Sequence, residues 1–415
     1  MGSLRRTARR VFAGALAISP AGMGFAAGPA ASPAGPELSA LAPERVMADL
    51  RRANAFFANE HPDPALDIVT ERKRPEGAAN GPGPAARVVH PSNIWTRGVY
   101  YEGLMALRAV DPEPGYATYA LTWAVAHRWG LRGGAGTRNA DDQCCGQTYL
   151  QLYSEDPQAV RIHDIRASID GMVASPRSND WTWVDAIQMS MPVYAKLGAL
   201  TGDARYYEKM YALFLFARDG TGKSPALYNA KAGLWWRDGT FVPPYKEPNG
   251  ADCYWSRGNG WAMAALVRVL DGLPPEAPGR SDYVTMLRQM AGAVKALQRP
   301  DGFWNVSLAD PGHYGGPELT GTALFTYGLA AGIREGILPA EDYRAVIGRA
   351  WSALATGAIH ADGRLGYVQG TGKEPSDGQP VSYDSRPDFD DFGVGCFLLG
   401  GSEVLRMARA GGFGR

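Results

Sequence analysis

The sequence predicts an all-α fold, and three observations support that prediction. Apolar residues recur at helical spacing through most of the 415-residue chain. No segment shows the sustained apolar and polar alternation that is typical of half-buried strands. Turn-forming residues separate the apolar segments, as at Asp111-Pro112-Glu113-Pro114 and Thr201-Gly202-Asp203. Helices paired as hairpins can close into an (α/α)6 barrel, a double-layered toroid whose inner helices face a central cavity.

The predicted helices follow one another in pairs along the chain. We place them at about 40–60, 96–110, 116–129, 142–154, 159–174, 180–199, 203–217, 257–271, 281–298, 317–335, 340–357 and 390–409. A superhelical solenoid is the rival architecture, but the sequence has no fixed repeat to support it. Two longer connections, 220–251 and 300–317, have the length of functional loops. The alternative is a packed cover over the mouth of the toroid.

The composition narrows the class of function. With 45% hydrophobic residues, the chain can bury a large core in one big domain or two smaller ones. The formal net charge is zero and the pI is near 7.0, so no overall field attracts nucleic acid or an anionic membrane. The 11 Trp and 19 Tyr residues suit stacking on carbohydrate rings. We therefore expect a carbohydrate as partner and no nucleic acid.

The first residues have the pattern of an export signal. Arg5-Arg6 and Arg9-Arg10 precede an uncharged stretch, Val11–Gly35, that is rich in Ala and Gly. We expect residues 1–35 to be an export signal with a flexible lead, and residues 36–415 to form a single catalytic domain. The protein would then be periplasmic or extracellular. No later segment is a convincing membrane span.

The four cysteines, Cys144, Cys145, Cys253 and Cys396, fit neither a paired zinc motif nor a dense disulfide framework. We expect the adjacent Cys144 and Cys145 to be buried small residues on a helix. One bridge between distant cysteines remains open in an oxidising compartment.

The segment Tyr254–Ala264 combines two indoles, a guanidinium and glycines. Its glycines indicate a turn that lets the backbone approach a ligand, and Trp255 and Trp261 can stack on sugar faces. Arg257 can fork onto a carboxylate. This combination suits a sugar-acid pocket. The alternative is a helix start whose tryptophans are ordinary core residues.

Two acidic positions are candidates for chemistry. Asp185 lies among large apolar neighbours in Trp181–Pro192, where burial would raise its pKa and let it donate a proton near neutral pH. A buried Asp that only bonds backbone groups would have the same sequence context. The pair Asp141-Asp142 lies at a helix start, where one carboxylate can serve as the N-cap and the other can point into a cavity.

Several linked motifs together resemble glycoside hydrolase family 105, the unsaturated rhamnogalacturonyl hydrolases, which are related to the unsaturated glucuronyl hydrolases of family 88. The motifs are Trp181–Pro192, Tyr254–Ala264, Gly302–Thr322 and Asp390–Gly395. The resemblance runs from about Trp95 to Leu405 and implies the (α/α)6 barrel. It also implies removal of a 4,5-unsaturated uronic acid from oligosaccharides that polysaccharide lyases leave. The implied reaction hydrates the double bond and needs no metal or organic cofactor.

The resemblance also implies roles for individual residues. Asp185 matches the family's catalytic Asp, and the second acidic position maps onto the Asp141-Asp142 pair. We expect Asp142 to face the cavity as a catalytic residue and Asp141 to cap the helix beside the substrate. Trp255, Arg257 and Trp261 match the family's Trp-x-Arg-Gly-x-Gly-Trp pocket motif. The indoles would wall the terminal-sugar subsite, and Arg257 would hold the uronate or orient an acidic side chain.

Three further residues complete the predicted substrate contacts and their alternatives. Trp95 and Arg97 would add an aromatic and a cation to the pocket, or would pack at a helix start with Arg97 paired to a carboxylate. His313 would line the mouth, although a surface His in a loop is commoner. Relatives often supply a His before the Trp-x-Arg motif, whereas Leu227-Tyr228-Asn229 contains none.

Two functions from other classes remain open on the sequence. A non-catalytic toroid that binds acidic sugars would keep the same pocket. A polysaccharide lyase on the same barrel would create the unsaturated sugar rather than consume it.

Overall fold

The computed structural model describes residues 38–72 and 86–413, and the expected export signal lies outside them. Helices α1 to α13 are Pro43–Glu60, Trp95–Arg108, Pro114–Ala126, Ala140–Gln143, Gly146–Glu155, His163–Ala174, Asp185–Thr201, Arg205–Asp219, Ser256–Leu270, Arg280–Ala296, Leu319–Arg334, Ala340–Ala353 and Asp391–Arg409. Two 3-10 turns, Leu38–Leu41 and Ala159–Ile162, and a π-helical turn, Leu354–Ala358, extend this set. The described residues belong to one compact unit.

Six of these helices form a closed inner ring. Each of α2, α5, α7, α9, α11 and α13 packs against the next, and α13 packs against α2 to close the circle. The helices between them, α1, α3, α6, α8, α10 and α12, lie outside and pack against the ring or its neighbours. The short α4 packs against α7 just before α5 begins. The predicted all-α (α/α)6 barrel is therefore confirmed.

Only short strands occur in the described part of the chain, in three antiparallel pairs. Strand β1 (Ile68–Arg72) pairs with β2 (Ala86–His90), β3 (Tyr228–Asn229) with β4 (Leu234–Trp235), and β5 (Trp304–Asn305) with β6 (Pro317–Glu318). In register, Tyr228 lies opposite Trp235 and Trp304 lies opposite Glu318. The last two pairs organise the long connections that the sequence predicted.

The predicted helix over 180–199 begins five residues late, at Asp185. The helix begins late because the preceding residues pair with a distant loop. The amide of Val184 donates a hydrogen bond to the carbonyl of Arg237 at 2.8 Å, and Trp183 forms an antiparallel bridge with Asp238. This pairing competes with helix formation and brings Arg237 to the start of α7.

The closure between α2 and α13 depends on two glycines. A Cβ atom at Gly103 would lie 2.4 Å from the carbonyl oxygen of Gly395, so the two helix backbones touch where any larger residue would separate them. Arg97 and Asp391 form a buried ion pair at the same contact, with Nε 3.2 Å from Oδ2. This contact confirms the packing alternative for Arg97.

All four cysteines are free and buried, which confirms the expected burial of Cys144 and Cys145. The two residues lie in the turn between α4 and α5 and not within a helix. In the part of the chain that the structure describes, no helix is both long enough and apolar enough to cross a membrane.

Candidate active site

The inner helices begin at one end of the ring, and most of the predicted site residues lie at these starts. Trp95 begins α2, Asp141 lies in the first turn of α4, Asp185 begins α7 and Trp255 immediately precedes α9. Because each inner helix is followed by an outer helix that returns the chain, successive inner helices run in the same direction. The ring therefore gathers side chains that are far apart in sequence.

The opposite end of the ring confirms this direction. A cavity of about 550 Å³ is lined there by residues from the last turns of the inner helices. They include Glu155 of α5, Ala199 of α7, Arg334 of α11 and Arg406 of α13. The two ends of the barrel thus have different residues, and the predicted chemistry belongs to the end at which the helices begin.

Asp185 is buried and is held by one arginine. Its side chain is 12% exposed, and its Oδ2 accepts a hydrogen bond from Nε of Arg237 at 3.1 Å. Burial raises the pKa of the Asp185 carboxyl, while the charges of Arg237 and Arg257 oppose that rise. Asp185 therefore combines a desolvated carboxyl with a fixed orientation.

Asp141 is the second carboxylate of the site. Burial raises its pKa to about 7, the charge of Asp185 adds to the rise, and Arg237 opposes it. Two carboxylates that repel each other favour a state in which one of them holds a proton. Near neutral pH the pair can therefore carry a proton that an isolated Asp would have lost.

The structure reverses the expected arrangement of Asp141 and Asp142. Asn139 is the N-cap of α4, and its Oδ1 accepts a hydrogen bond from the amide of Asp141 at 2.8 Å. Asp142 faces a surface loop, where its Oδ2 accepts from Oγ1 of Thr137 at 2.9 Å and its Oδ1 lies 3.6 Å from Nε of Arg132. Consecutive helical side chains point about 100° apart, and the negative charge of Asp185 acts on the pKa of Asp141.

The glycines of the Tyr254–Ala264 segment are helical, so the predicted glycine-rich turn is wrong. Helix α9 begins at Ser256 and contains Gly258 and Gly260. A Cβ atom at Gly260 would lie 2.8 Å from Cβ of Leu324. The small residue therefore lets α9 approach α11 rather than a ligand.

Trp255 and Trp261 do not wall an open pocket, because they are only 1% and 0% exposed. Nε1 of Trp255 donates a hydrogen bond to Oε1 of Gln369 at 2.8 Å. Trp261 packs edge to face against Trp95, with ring centroids 6.5 Å apart. Trp95 itself is partly exposed, so it is the member of this aromatic group that a sugar can reach.

Arg257 fastens a loop instead of facing the solvent. It is 1% exposed, and its two terminal nitrogens donate hydrogen bonds to the carbonyls of Gln369 and Gly370, each at 2.8 Å. The guanidinium lies between the rings of Trp255 and Phe392, at 4.5 and 5.0 Å. Each terminal nitrogen therefore binds backbone, Nε has no hydrogen-bond partner among the described residues, and the effect of Arg257 on Asp185 is electrostatic.

Arg237 is the functional candidate that the sequence reasoning missed. Its side chain is 22% exposed, and besides Asp185 it binds Oδ2 of Asp238 through Nη1 at 2.8 Å. The sequence signalled only a long loop with Trp235, Trp236 and a charged pair. Nothing local to that loop predicts its pairing with the start of α7.

His313 lies beside a buried carboxylate in the loop before β6. Its Nδ1 contacts Oε2 of Glu247, and Oε1 of Glu247 accepts from Oγ of Ser307 at 2.8 Å. Glu247, Asp310 and His313 each place one donor atom within 4.8 Å of the others, which is a spacing that could hold a metal ion. The Asp310 oxygens, however, already accept from the amides of Asn249 and Gly312 at 3.0 Å. The cluster thus ties two loops together, and substrate binding by His313 stays a prediction.

Comparison with known proteins gives the family. The family model for Glycosyl Hydrolase Family 88 matches residues 78–408. The chain belongs to this family. An unsaturated 3S-rhamnoglycuronyl hydrolase of Formosa agariphila is 30% identical to this family 88 enzyme over 333 residues, which cover 75% of the chain and 84% of the relative.

Two solved structures are similar to the enzyme over most of their length. A family 88 glycosyl hydrolase of Bacteroides vulgatus has 32% identity and a TM-score of 0.75, with 88% of this chain and 99% of the other covered. A polysaccharide lyase has 31% identity and a TM-score of 0.76, with coverage of 89% and 98%. The family match confirms that the protein is a glycoside hydrolase.

Proposed function

We propose that this family 88 enzyme removes a 4,5-unsaturated uronic acid from the non-reducing end of lyase-generated oligosaccharides. The main support for this proposal is the pair of carboxylates at the helix starts. Burial raises the pKa of Asp185 and raises that of Asp141 to about 7. The similarity to a relative named an unsaturated 3S-rhamnoglycuronyl hydrolase supports the substrate class. Hydration of the C4–C5 double bond is the reaction that we assign to the pair.

The proposed steps need one acid that later acts as a base. A vinyl ether accepts a proton on carbon, so the Asp185 carboxyl delivers its proton to C4 and leaves an oxocarbenium-like cation at C5. Water adds at C5 and returns a proton to the carboxylate. The resulting hemiketal opens by breaking the bond between C5 and the ring oxygen. The hemiacetal at C1 then releases the remaining oligosaccharide.

The geometry supports this use of the two carboxylates. Asp185 must be protonated before the first step, and burial favours that form because it raises the pKa of the carboxyl. After the step, Asp185 is ionised beside Arg237, which stabilises the carboxylate through the 3.1 Å hydrogen bond. The pair can thus alternate between donor and acceptor without any further group.

We propose rhamnose as the sugar joined to the uronate, on the strength of the relative's name. The test is a panel of unsaturated disaccharides that differ only in this second sugar, including rhamnose with and without sulfate and a hexosamine. The highest kcat/KM for a rhamnose disaccharide is the expected result. Preference for the hexosamine would contradict this assignment while leaving the reaction in place.

The family match and the relatives named as hydrolases do not favour a polysaccharide lyase, although one solved relative with 31% identity bears that name. The two activities change the ultraviolet absorbance of the conjugated enol acid in opposite directions. A hydrolase removes the chromophore from lyase products, and a lyase creates it from the intact polymer. Both substrates therefore have to be offered to the same preparation.

Export belongs to the proposal as well. The pattern of Arg5-Arg6 and Arg9-Arg10 before Val11–Gly35 is typical of a signal that is removed on secretion. N-terminal sequencing of the protein from the periplasm or the medium should show a start after this segment. Recovery of the uncut chain from the cytoplasm alone would contradict export.

A further inference from the structure

We propose that Arg237 is the receptor for the uronate carboxylate of the substrate, a role that rests on the proposed function. The ligand class is a terminal unsaturated uronic acid, whose carboxylate would bind the guanidinium beside Asp185. Arg237, and not Arg257 of the Trp-x-Arg motif, would bind the negative charge of the substrate, because Arg257 does not face the site.

Arg257 is too deeply buried to bind the carboxylate of a substrate. Its terminal nitrogens each donate to a backbone carbonyl at 2.8 Å, and only 1% of the residue is exposed. A substrate carboxylate could reach it only by displacing the loop at Gln369 and Gly370. Burial even lowers the pKa of Arg257, which describes a site that tolerates a cation poorly.

Arg237, in contrast, has room for another partner. Its side chain is 22% exposed, and in the described part of the chain no residue accepts a hydrogen bond from its Nη2, while Nε and Nη1 bind Asp185 and Asp238. A guanidinium offers five N–H donors in a planar fork, so the free edge can bind a further carboxylate.

The position of Arg237 is also fixed by its surroundings. Its carbonyl accepts from the amide of Val184 at 2.8 Å, and the next residue, Asp238, accepts from the amide of Thr240 at 2.8 Å. Trp183 pairs with Asp238 across the same contact. A charge receptor that is held in this way loses little conformational freedom when it binds.

The balance of charges around Asp185 also favours Arg237 as the receptor. A bound uronate would add a third carboxylate to Asp185 and Asp141, and Arg237 is the strongest opposing charge on both of them. When the substrate carboxylate also binds Arg237, less of the positive charge of Arg237 acts on Asp185. The protonated form of Asp185 is then favoured. Substrate binding would thus prepare the proton donor. Arg132 is the rival cation, because it also acts on Asp141 but lies against Asp142.

The test compares an acidic substrate with a neutral one. Steady-state kinetics are measured on an unsaturated uronyl disaccharide and on its C6 methyl ester for the wild type, Arg237→Ala, Arg237→Lys and Arg132→Ala. Arg237→Gln is added because it keeps a hydrogen bond to Asp185 and guards against misfolding. Arg205→Ala is the control, since Arg205 is 73% exposed on an outer helix and pairs with Asp203.

We expect Arg237→Ala to raise KM for the acid by at least about tenfold and KM for the ester by less than about twofold. Arg237→Lys should recover part of the loss, and Arg205→Ala should change neither substrate. An equal change for acid and ester would overturn the proposal, because Arg237 would then only hold Asp185. An acid-specific loss in Arg132→Ala alone would assign the carboxylate to Arg132 and also overturn it.

Failure of the proposed function is distinguishable from failure of this inference. If the wild type turns over neither compound, the reaction is wrong, and calorimetric titration of Asp185→Asn and of Asp185→Asn with Arg237→Ala still measures the two affinities. A preference for the acid that disappears with Arg237 supports the receptor. A preference that persists without Arg237 contradicts it.

Discussion

Asp185 accepts a hydrogen bond at 3.1 Å from Nε of Arg237, a residue 52 positions later in the chain. The contact joins the first residue of the inner helix α7 to the loop between the outer helix α8 and the inner helix α9. It exists because the residues before Asp185 pair with that loop instead of continuing the helix. One backbone contact therefore decides both where α7 begins and which cation faces the carboxylate.

Asp185→Asn should lower kcat by about 10³-fold, because a positioned general acid contributes on the order of 10²–10⁴. The amide keeps the size of the side chain but cannot deliver a proton. The melting temperature should stay close to that of the wild type. Asp219→Asn is the control, since that residue is 54% exposed and pairs with Arg218 on the surface. More than about a tenth of wild-type activity in Asp185→Asn would contradict the assigned donor.

Asp141→Asn and Asp142→Asn separate the adjacent carboxylates. Because Asp141 interacts with Asp185 and Asp142 binds a surface loop, Asp141→Asn should lower kcat/KM by about 10²-fold. Asp142→Asn should remain within about fivefold of the wild type. A larger loss of activity in Asp142→Asn than in Asp141→Asn would contradict this assignment and support Asp142 as the residue that faces the cavity.

The sequence was sufficient for the barrel because the helical periodicity is strong along the whole chain. It failed where one local pattern has two physical causes. The glycines of Tyr254–Ala264 predicted a ligand-binding turn, whereas Gly260 lets helix α9 pack closely against Leu324 of α11. Arg257 and Trp255 were predicted to line a pocket, yet both are buried against the loop that contains Gln369.

The Pro317–Thr322 motif shows what a family signature can mean in physical terms. Glu318 caps α11, and its carboxylate accepts from the amides of Thr320 and Gly321 at 2.9 and 2.6 Å. Such a cap satisfies donors that a helix start leaves free. Arg237 could not be found in this way, because its role depends on a contact between segments about fifty residues apart.

Asp141 should make the stability of the protein depend on pH. Its pKa is about 7 in the folded protein against an ordinary 3.8, so the folded state binds the proton more tightly than the unfolded chain. The stabilisation from this proton is fully present below about pH 4 and is lost as the pH rises to about 7.

Asp141→Asn removes this dependence, because its amide is neutral at every pH. The free energy of unfolding of the variant, measured by urea denaturation, should match that of the wild type near pH 4. It should exceed the wild-type value by about 4 kcal/mol at pH 8. A difference that is the same at both pH values would contradict a raised pKa for Asp141.

Arg257→Ala should destabilise the enzyme by about 3–5 kcal/mol, because it leaves a cavity and two buried carbonyls without donors. Those carbonyls belong to Gln369 and Gly370. Arg257→Lys should recover only part of the loss, since an ammonium cannot reproduce the fork. Thermal unfolding of both variants gives the measurement. A stable Arg257→Ala protein with weakened substrate binding would instead support direct contact with the uronate.

The direction of the ultraviolet absorbance of the conjugated enol acid tests the central claim most directly. Purified enzyme is mixed with unsaturated oligosaccharides from a polysaccharide lyase, and separately with the intact polymer. The account predicts that the absorbance of the oligosaccharides falls with wild-type enzyme, stays constant with Asp185→Asn, and does not rise with the polymer. A rise with the polymer, or a constant signal with the oligosaccharides, would contradict it.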